Sequence, residues 1–78
     1  MVHIGKEIRK KLKEQRHTVV WFAHQLSCSR TNIYKIFEKP NLDTALLMRI
    51  SLILDHDFFI HFSNQYAIQR LEPEPVQE

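Results

Sequence analysis

Apolar residues recur at helical spacing through most of this chain. Ile4, Ile8 and Leu12 stand four residues apart and would form one face of a helix over residues 4–15. Three further helices are expected over residues 19–26, from residue 30 onward, and from about residue 44 to 54. A fifth begins at FFIHF, residues 58–62, and the pattern leaves open its extension through residues 65–71. The core-facing residues predicted for the second and third helices are Phe22, Ala23, Leu26, Ile33, Ile36 and Phe37.

Capping residues and breaks divide the pattern into these five helices. Thr18, Ser29, Asp43 and Asp57 each precede an apolar-periodic segment, and each carries an oxygen that can accept from a free N–H of the first helical turn. Residues 27–29, Ser-Cys-Ser, are predicted to form a turn. Residues 39–41, Lys-Pro-Asn, interrupt the chain because the residue before a proline avoids the α region. No β-hairpin signal occurs, so an all-α bundle is expected.

The last two predicted helices are unusually apolar. The fourth is apolar on several sides, so we expect neighbouring helices or a partner to bury it. Its apolar residues are Leu46, Leu47, Met48, Ile50, Leu52, Ile53 and Leu54. The fifth adds Phe58, Phe59, Ile60 and Phe62. A bundle of about 60 residues is expected to leave part of this apolar surface unburied.

Length and composition fit one small domain. The chain has 78 residues, of which 44% are hydrophobic, and it has one cysteine, so no internal disulfide framework can form. Residues 1–39 carry nine Lys or Arg against three Asp or Glu, whereas residues 40–78 carry two against six. This asymmetry favours a surface for a polyanion. No signal peptide or membrane-spanning run is recognisable, so a cytoplasmic protein is expected.

Neither a metal site nor a catalytic site is predicted. His24 and Cys28 stand four residues apart, but no second pair of ligands is spaced near them, and His56 and His61 have no tight spacing to either. Glycine-rich phosphate loops and nucleophile motifs are absent from the sequence. We therefore expect no cofactor and no enzymatic activity. Cys28 is expected to fill a small core position.

Residues 18–37 carry the clearest functional pattern, two short helices joined by a three-residue turn. The second of these helices opens with Arg30, Thr31 and Asn32, and Tyr34 and Lys35 follow one turn later. A helix whose N-terminal end is to read base edges in the DNA major groove needs such hydrogen-bonding and basic side chains.

Taken together, these features resemble the Cro/Xre-type helix-turn-helix family of phage and bacterial repressors. The resemblance covers about residues 3–62 and is carried by Ile4, Gly5, Ile8, Thr18, Phe22, Ala23, Leu26, residues 29–33, Ile36 and the leucine-rich fourth helix. The chain departs from that family at three places. Ser27 replaces the usual turn glycine, Val19 replaces a common glutamine, and residues 37–39 read Phe-Glu-Lys where Glu-Asn-Gly is usual.

The resemblance implies a compact, lambda-repressor-like bundle of five helices that binds a specific sequence of double-stranded DNA and regulates transcription, usually as a repressor. The third helix would enter the major groove. Arg30 would pair with guanine or bind phosphate, Thr31 would meet a thymine methyl, and Asn32 would contact phosphate or adenine. The full set of predicted DNA-binding residues is Thr18, Ser29, Arg30, Thr31, Asn32, Tyr34, Lys35, Lys39 and Asn41.

Several of these roles stay open at the level of sequence. Tyr34 could pack on the sugar-phosphate backbone, or on the second helix with only its hydroxyl exposed. Lys39 and Asn41 are expected to contact phosphates, and Thr18 marks a second anion site at a helix N-terminus. Trp21 is expected to fold back across the first or fifth helix, or else to contact DNA sugars or a protein.

A two-fold homodimer is expected, because one recognition helix covers only one half-site. We expect it to form through the fifth helix, with Phe58, Phe59 and Phe62 at the interface. This gives a DNA-binding domain over residues 1–62, a helical or dimerising segment over 63–71, and a disordered acidic tail over 72–78.

Two other functions fit the same fold. A protein-interaction module would use residues 19–21, Val-Val-Trp, as its docking surface. An antitoxin-like partner would fold residues 63–78 on another protein.

Overall fold

The computed structural model describes residues 1–71, which form five α-helices and no strand. The helices are α1 (Ile4–Glu14), α2 (Val19–Gln25), α3 (Arg30–Glu38), α4 (Thr44–Ile53) and α5 (Phe59–Leu71). The predicted all-α class is therefore confirmed, and the fifth helix does continue to residue 71. The predicted acidic tail, residues 72–78, lies outside the described residues.

Side-chain caps fix where the helices begin. The oxygens of Thr18, Ser29 and Asp43 each accept from the backbone N–H three residues later, at 3.0, 3.2 and 2.8 Å, as predicted. His3 caps α1 in the same way: its Nδ1 accepts from the N–H of Lys6 at 3.1 Å, which the sequence pattern did not suggest. Asp57 instead accepts from Phe59 two residues later, at 3.0 Å.

Three helix ends contain a residue in the left-handed region. Arg16, Ser27 and Asp55 have φ angles of 59°, 54° and 49°. After α2, the N–H of Ser27 donates to the carbonyl of His24 at 3.1 Å and that of Cys28 donates to Ala23 at 3.0 Å. This is the Schellman arrangement, in which glycine is usual. Ser27 thus takes the backbone conformation that glycine adopts most easily.

The core is formed by one apolar stripe from each of the first four helices and by Phe58, the residue directly before α5. All nine core positions predicted in the first three helices are buried. The buried apolar residues are Ile4, Ile8, Leu12, Phe22, Ala23, Leu26, Ile33, Ile36, Phe37, Leu47, Ile50, Leu54 and Phe58.

One expectation about the apolar second half is wrong. Phe58 is 0% exposed, so it belongs to the core and cannot contact a second copy of the chain. Its N–H lies 3.4 Å from the hydroxyl of Ser51, which holds the α4–α5 connection against α4. Within the bundle the fourth helix is buried on one side, and Met48 and Leu52 remain exposed, so burial of its other side by a partner stays a prediction. A bundle of this size covers only one side of α4.

Helix α1 begins directly against the end of α3. The N–H groups of Ile4 and Gly5 donate to the carbonyls of Pro40 and Lys39 at 3.0 and 2.9 Å. Gly5 is buried, and a Cβ atom there would lie 2.6 Å from the carbonyl carbon of Phe37. Only glycine permits this approach, so the single glycine of the chain fixes the position of α1 relative to α3.

Candidate nucleic-acid interface

The segment from α2 to α3 buries one side of each helix and leaves the other side of α3 in solvent. Ile33, Ile36 and Phe37 face the core. The half-buried side chain of Cys28, in the turn before α3, packs against the same core, in line with its predicted role. Since the core takes only these positions of α3, its remaining residues are free to contact a ligand.

Five side chains predicted to read DNA are exposed together on α3. At 100° per residue, Thr31 and Lys35 lie opposite the buried side, Arg30 and Tyr34 lie on one flank, and Asn32 lies on the other. The first turn of α3 contains no acidic residue. Glu38, the last residue of the helix, is its one carboxylate. The N-terminal two turns therefore present donors, acceptors and positive charge without an opposing acid.

The predicted phosphate contacts lie around this helix. Thr18 and Ser29 are exposed, and their hydroxyl oxygens are used as helix caps, which leaves each O–H free to donate. Lys39 and Asn41 are exposed after α3. The carbonyl of Lys39 is held by the N–H of Gly5, so the backbone of this loop is fixed while its side chain reaches into solvent.

Tyr34 lies beside α1 rather than hidden against α2. The side chain is 51% exposed, and its ring meets that of Phe37 edge to face at a centroid distance of 6.1 Å. The alternative in which only its hydroxyl is exposed is therefore wrong. Tyr34, Phe37 and Glu38 form one side of a shallow groove whose other side is His3, Lys6 and Arg9 of α1.

This groove adds residues that the sequence pattern did not select. The Arg9 guanidinium carbon lies 5.6 Å from the centre of the Phe37 ring, within range of a cation–π interaction. Lys6 lies on the same side of α1. The sequence feature that could have indicated this groove is Gly5, because a glycine inside an amphipathic helix often marks a close approach of another backbone.

Residues 19–21 do not form a continuous apolar docking surface. Trp21 is half-buried against the core, and its ring stacks on that of His17 at 3.7 Å between centroids with an angle of 11°. Val19 also packs against the core, whereas Val20 is exposed. Only one of the three side chains is thus largely available to a partner.

Two histidines meet where α5 approaches α1. The Nε2 atoms of His56 and His61 are 3.2 Å apart, and His61 lies 3.8 Å from a carboxylate oxygen of Glu7. Burial lowers the pKa of His56, and the positive charges of Lys11 and His61 lower it further. Within residues 1–71, no group of three or more His, Cys, Asp or Glu side chains is placed to hold a metal ion.

Comparisons with models of protein families, with curated proteins and with solved structures found no match to this chain. None of the helices in residues 1–71 combines the length and the apolar character needed to cross a membrane.

Proposed function

We propose that this chain binds a specific sequence of duplex DNA and regulates transcription as a repressor. In this proposal the bundle has the lambda-repressor-like arrangement of the Cro/Xre family, with α2 and α3 as its helix-turn-helix. The observation that carries the proposal is the joint exposure of Arg30, Thr31, Asn32, Tyr34 and Lys35 on α3, with no acid in its first turn.

The chemistry of these residues suits base edges in the major groove. A guanidinium such as that of Arg30 can donate two hydrogen bonds to O6 and N7 of guanine. Thr31 offers a methyl group to thymine, and Asn32 can pair with adenine or bind phosphate. Lys35 extends the same face by one turn. Ser29, Lys39, Asn41 and Thr18 surround the helix and would bind phosphates, which position the protein without specifying sequence.

The test compares two arginines on exposed helix positions. A selection from random duplexes first yields the preferred site. Arg30→Ala should then weaken binding to that site by about 5- to 150-fold, the equivalent of ~1–3 kcal/mol, and relax the preference at one base pair. Arg49→Ala on α4 removes the same charge and should have a small effect. Unchanged base preference in Arg30→Ala would remove the base-reading role.

We also propose a homodimer through the apolar surface of α4 and α5, which consists of Met48, Leu52, Phe59, Phe62 and Tyr66. Met48, Leu52 and Phe59 line one shallow cleft, and Phe62 and Tyr66 continue from Phe59 at helical spacing. Of the predicted interface residues, Phe62 is exposed and Phe59 is half-buried.

The second half of α5 supports this dimer. No residue of α5 is buried, although the helix has 13 residues. An isolated helix of that length is marginal in water, so contact with a second copy would stabilise it. Sedimentation velocity on the full chain should give a dimer that Tyr66→Ser weakens. A strict monomer, both free and on DNA, would contradict the proposed dimer but not DNA binding by one copy.

A further inference from the structure

The charged residues of α1 are separated onto two sides of the helix. Glu7 and Glu14 lie on one side, where Glu14 pairs with Lys11 at 2.9 Å and Glu7 lies 3.8 Å from His61 of α5. The other side holds four exposed cations and no acid. We call these four residues, Lys6, Arg9, Lys10 and Lys13, the cationic face. None of them forms an ion pair within the described part of the chain.

The two sides therefore differ in how their charge is used. Lys11 donates a hydrogen bond to Glu14 and, by that bond and by its charge, lowers the pKa of this carboxyl. Lys11 thus has a carboxylate partner at hydrogen-bond distance. On the cationic face, the charge of Lys10 contributes a smaller part to the lowered pKa of Glu14, and Glu38 lines the groove beside Lys6 and Arg9. Four cations nevertheless outnumber these acids and none is held in an ion pair, so their net field extends into solvent and can attract an external anion.

The packing of α1 on α3 places the cationic face beside the proposed recognition helix. The backbone hydrogen bonds from Ile4 and Gly5 to the loop after α3 hold the two helices together. Lys6 and Arg9 then share a groove with Tyr34, on the flank of α3 that also carries Arg30. A duplex that received α3 in its major groove would bring a phosphate strand toward this side of α1.

We propose that the cationic face is a second DNA-binding surface, which contacts the phosphates of the strand bordering the major groove. This inference rests on the proposed function and deepens it. Lys6 and Lys13 are separated by about 10 Å along the helix, given a rise of ~1.5 Å per residue. One strand of B-DNA carries a phosphate every ~3.4 Å of helix axis, so the face can span about three of them.

The proposal predicts a salt effect without a sequence effect. Each neutralised phosphate contributes about −0.9 to the slope of log binding constant against log salt concentration. The triple variant Lys6→Gln, Lys10→Gln and Lys13→Gln should therefore make the slope shallower by about two to three units for each bound copy of the chain. It should keep the base preference of the unchanged chain, because phosphates carry no direct sequence information.

The control removes the same formal charge elsewhere. Lys11→Gln, Arg49→Gln and Arg70→Gln also eliminate three cations, one of them already paired with Glu14. Arg9 is left intact in both triples because it contacts the Phe37 ring. Glutamine has nearly the helix propensity of lysine and arginine, so both triples should retain the far-ultraviolet circular dichroism of the unchanged chain.

The measurement is fluorescence anisotropy with the preferred duplex and a random duplex across a range of salt concentrations. A slope loss confined to the triple on the cationic face supports the proposal. Equal slope losses in both triples would overturn it and leave only a diffuse field. Absence of binding by the unchanged chain would overturn the proposed function as well. Binding to vesicles of anionic phospholipid, but not to duplex, would assign the face to lipid phosphates.

Discussion

Two surfaces of this bundle are left over after the core is formed, and they have opposite chemistry. The cationic face of α1 presents four exposed cations beside the exposed polar residues of α3. The apolar surface of α4 and α5 presents large apolar side chains, among them Met48, Leu52 and Tyr66. Since folding uses only one stripe of each of the first four helices, the remaining positions are free to serve partners of different kinds.

The difference between the two surfaces comes from position along the chain. The basic first half folds into α1 to α3, and the direct contact of Gly5 with the backbone of α3 brings its charges side by side. The second half has few cations, and its apolar residues exceed what one small core can cover. We therefore propose a polyanion for the first surface and a second copy of the chain for the second.

The sharpest separation of core from surface lies within the FFIHF segment. Phe58→Ala should lower the free energy of unfolding by ~3–5 kcal/mol, because a fully buried ring is replaced by a cavity. Phe62→Ala, at a position that is 37% exposed, should cost far less stability and should instead weaken the proposed dimer. Urea unfolding, monitored by circular dichroism, measures the free energy of unfolding of both variants. Equal losses of stability would contradict the assignment of Phe58 to the core and Phe62 to the surface.

The junction of α1 with α3 should be the next most sensitive point. Gly5→Ala forces a methyl group against the backbone of Ile36 and Phe37 and should cost ~1–3 kcal/mol despite the higher helix propensity of alanine. Lys10→Ala in the same helix is the control and should leave stability nearly unchanged. If thermal unfolding showed no loss for Gly5→Ala, the close contact that sets the cationic face beside α3 would be wrong.

Two helix ends, one in each half of the chain, should give a smaller effect that stabilises the fold. Ser27 follows α2 and Asp55 follows α4, and both occupy the left-handed region in the same hydrogen-bonded motif. Glycine at either place should raise the free energy of unfolding by ~0.5–1 kcal/mol, since relief of strain exceeds the entropy that glycine adds to the unfolded chain. A fall in stability at both sites would contradict the strain at these helix ends.

The histidine pair near α5 predicts a modest dependence of stability on pH. The pKa of His56 lies below its ordinary 6.5, so the unfolded chain binds a proton more readily than the folded chain. The free energy of unfolding is therefore highest above pH 6.5, and it decreases as the pH falls from 6.5 toward the lower pKa of His56 in the folded chain. Urea unfolding at pH 7.5 and 5.0 should show a smaller pH effect in His56→Gln than in the unchanged chain. An identical pH effect would exclude this contribution.

The sequence predicted most of the fold because periodicity and capping are local signals. The stripe of Ile4, Ile8 and Leu12 and the caps at Thr18, Ser29 and Asp43 each depend on residues within one or two turns. The exposure of Arg30 and Lys35 follows from the same periodicity, since the core takes the opposite side of α3.

Long-range packing was the part that the sequence could not reveal. Phe58 and Phe62 have the same side chain in the same segment, and only the fold determines which one enters the core. The groove between Tyr34 and Arg9 joins residues 25 positions apart through a helix contact that periodicity does not encode. The segregation of the α1 cations from Glu7 and Glu14 likewise becomes meaningful only when α3 is placed beside one side and α5 beside the other.

The most direct test of DNA binding is a titration of the unchanged chain with random-sequence duplex at low and moderate salt, in which fluorescence anisotropy measures binding. We expect binding at low salt whose affinity falls steeply as salt rises, because the exposed cations of α1 and α3 would displace counterions from phosphates. Absence of binding at low salt, or binding that salt does not weaken, would contradict the assignment of this surface to DNA.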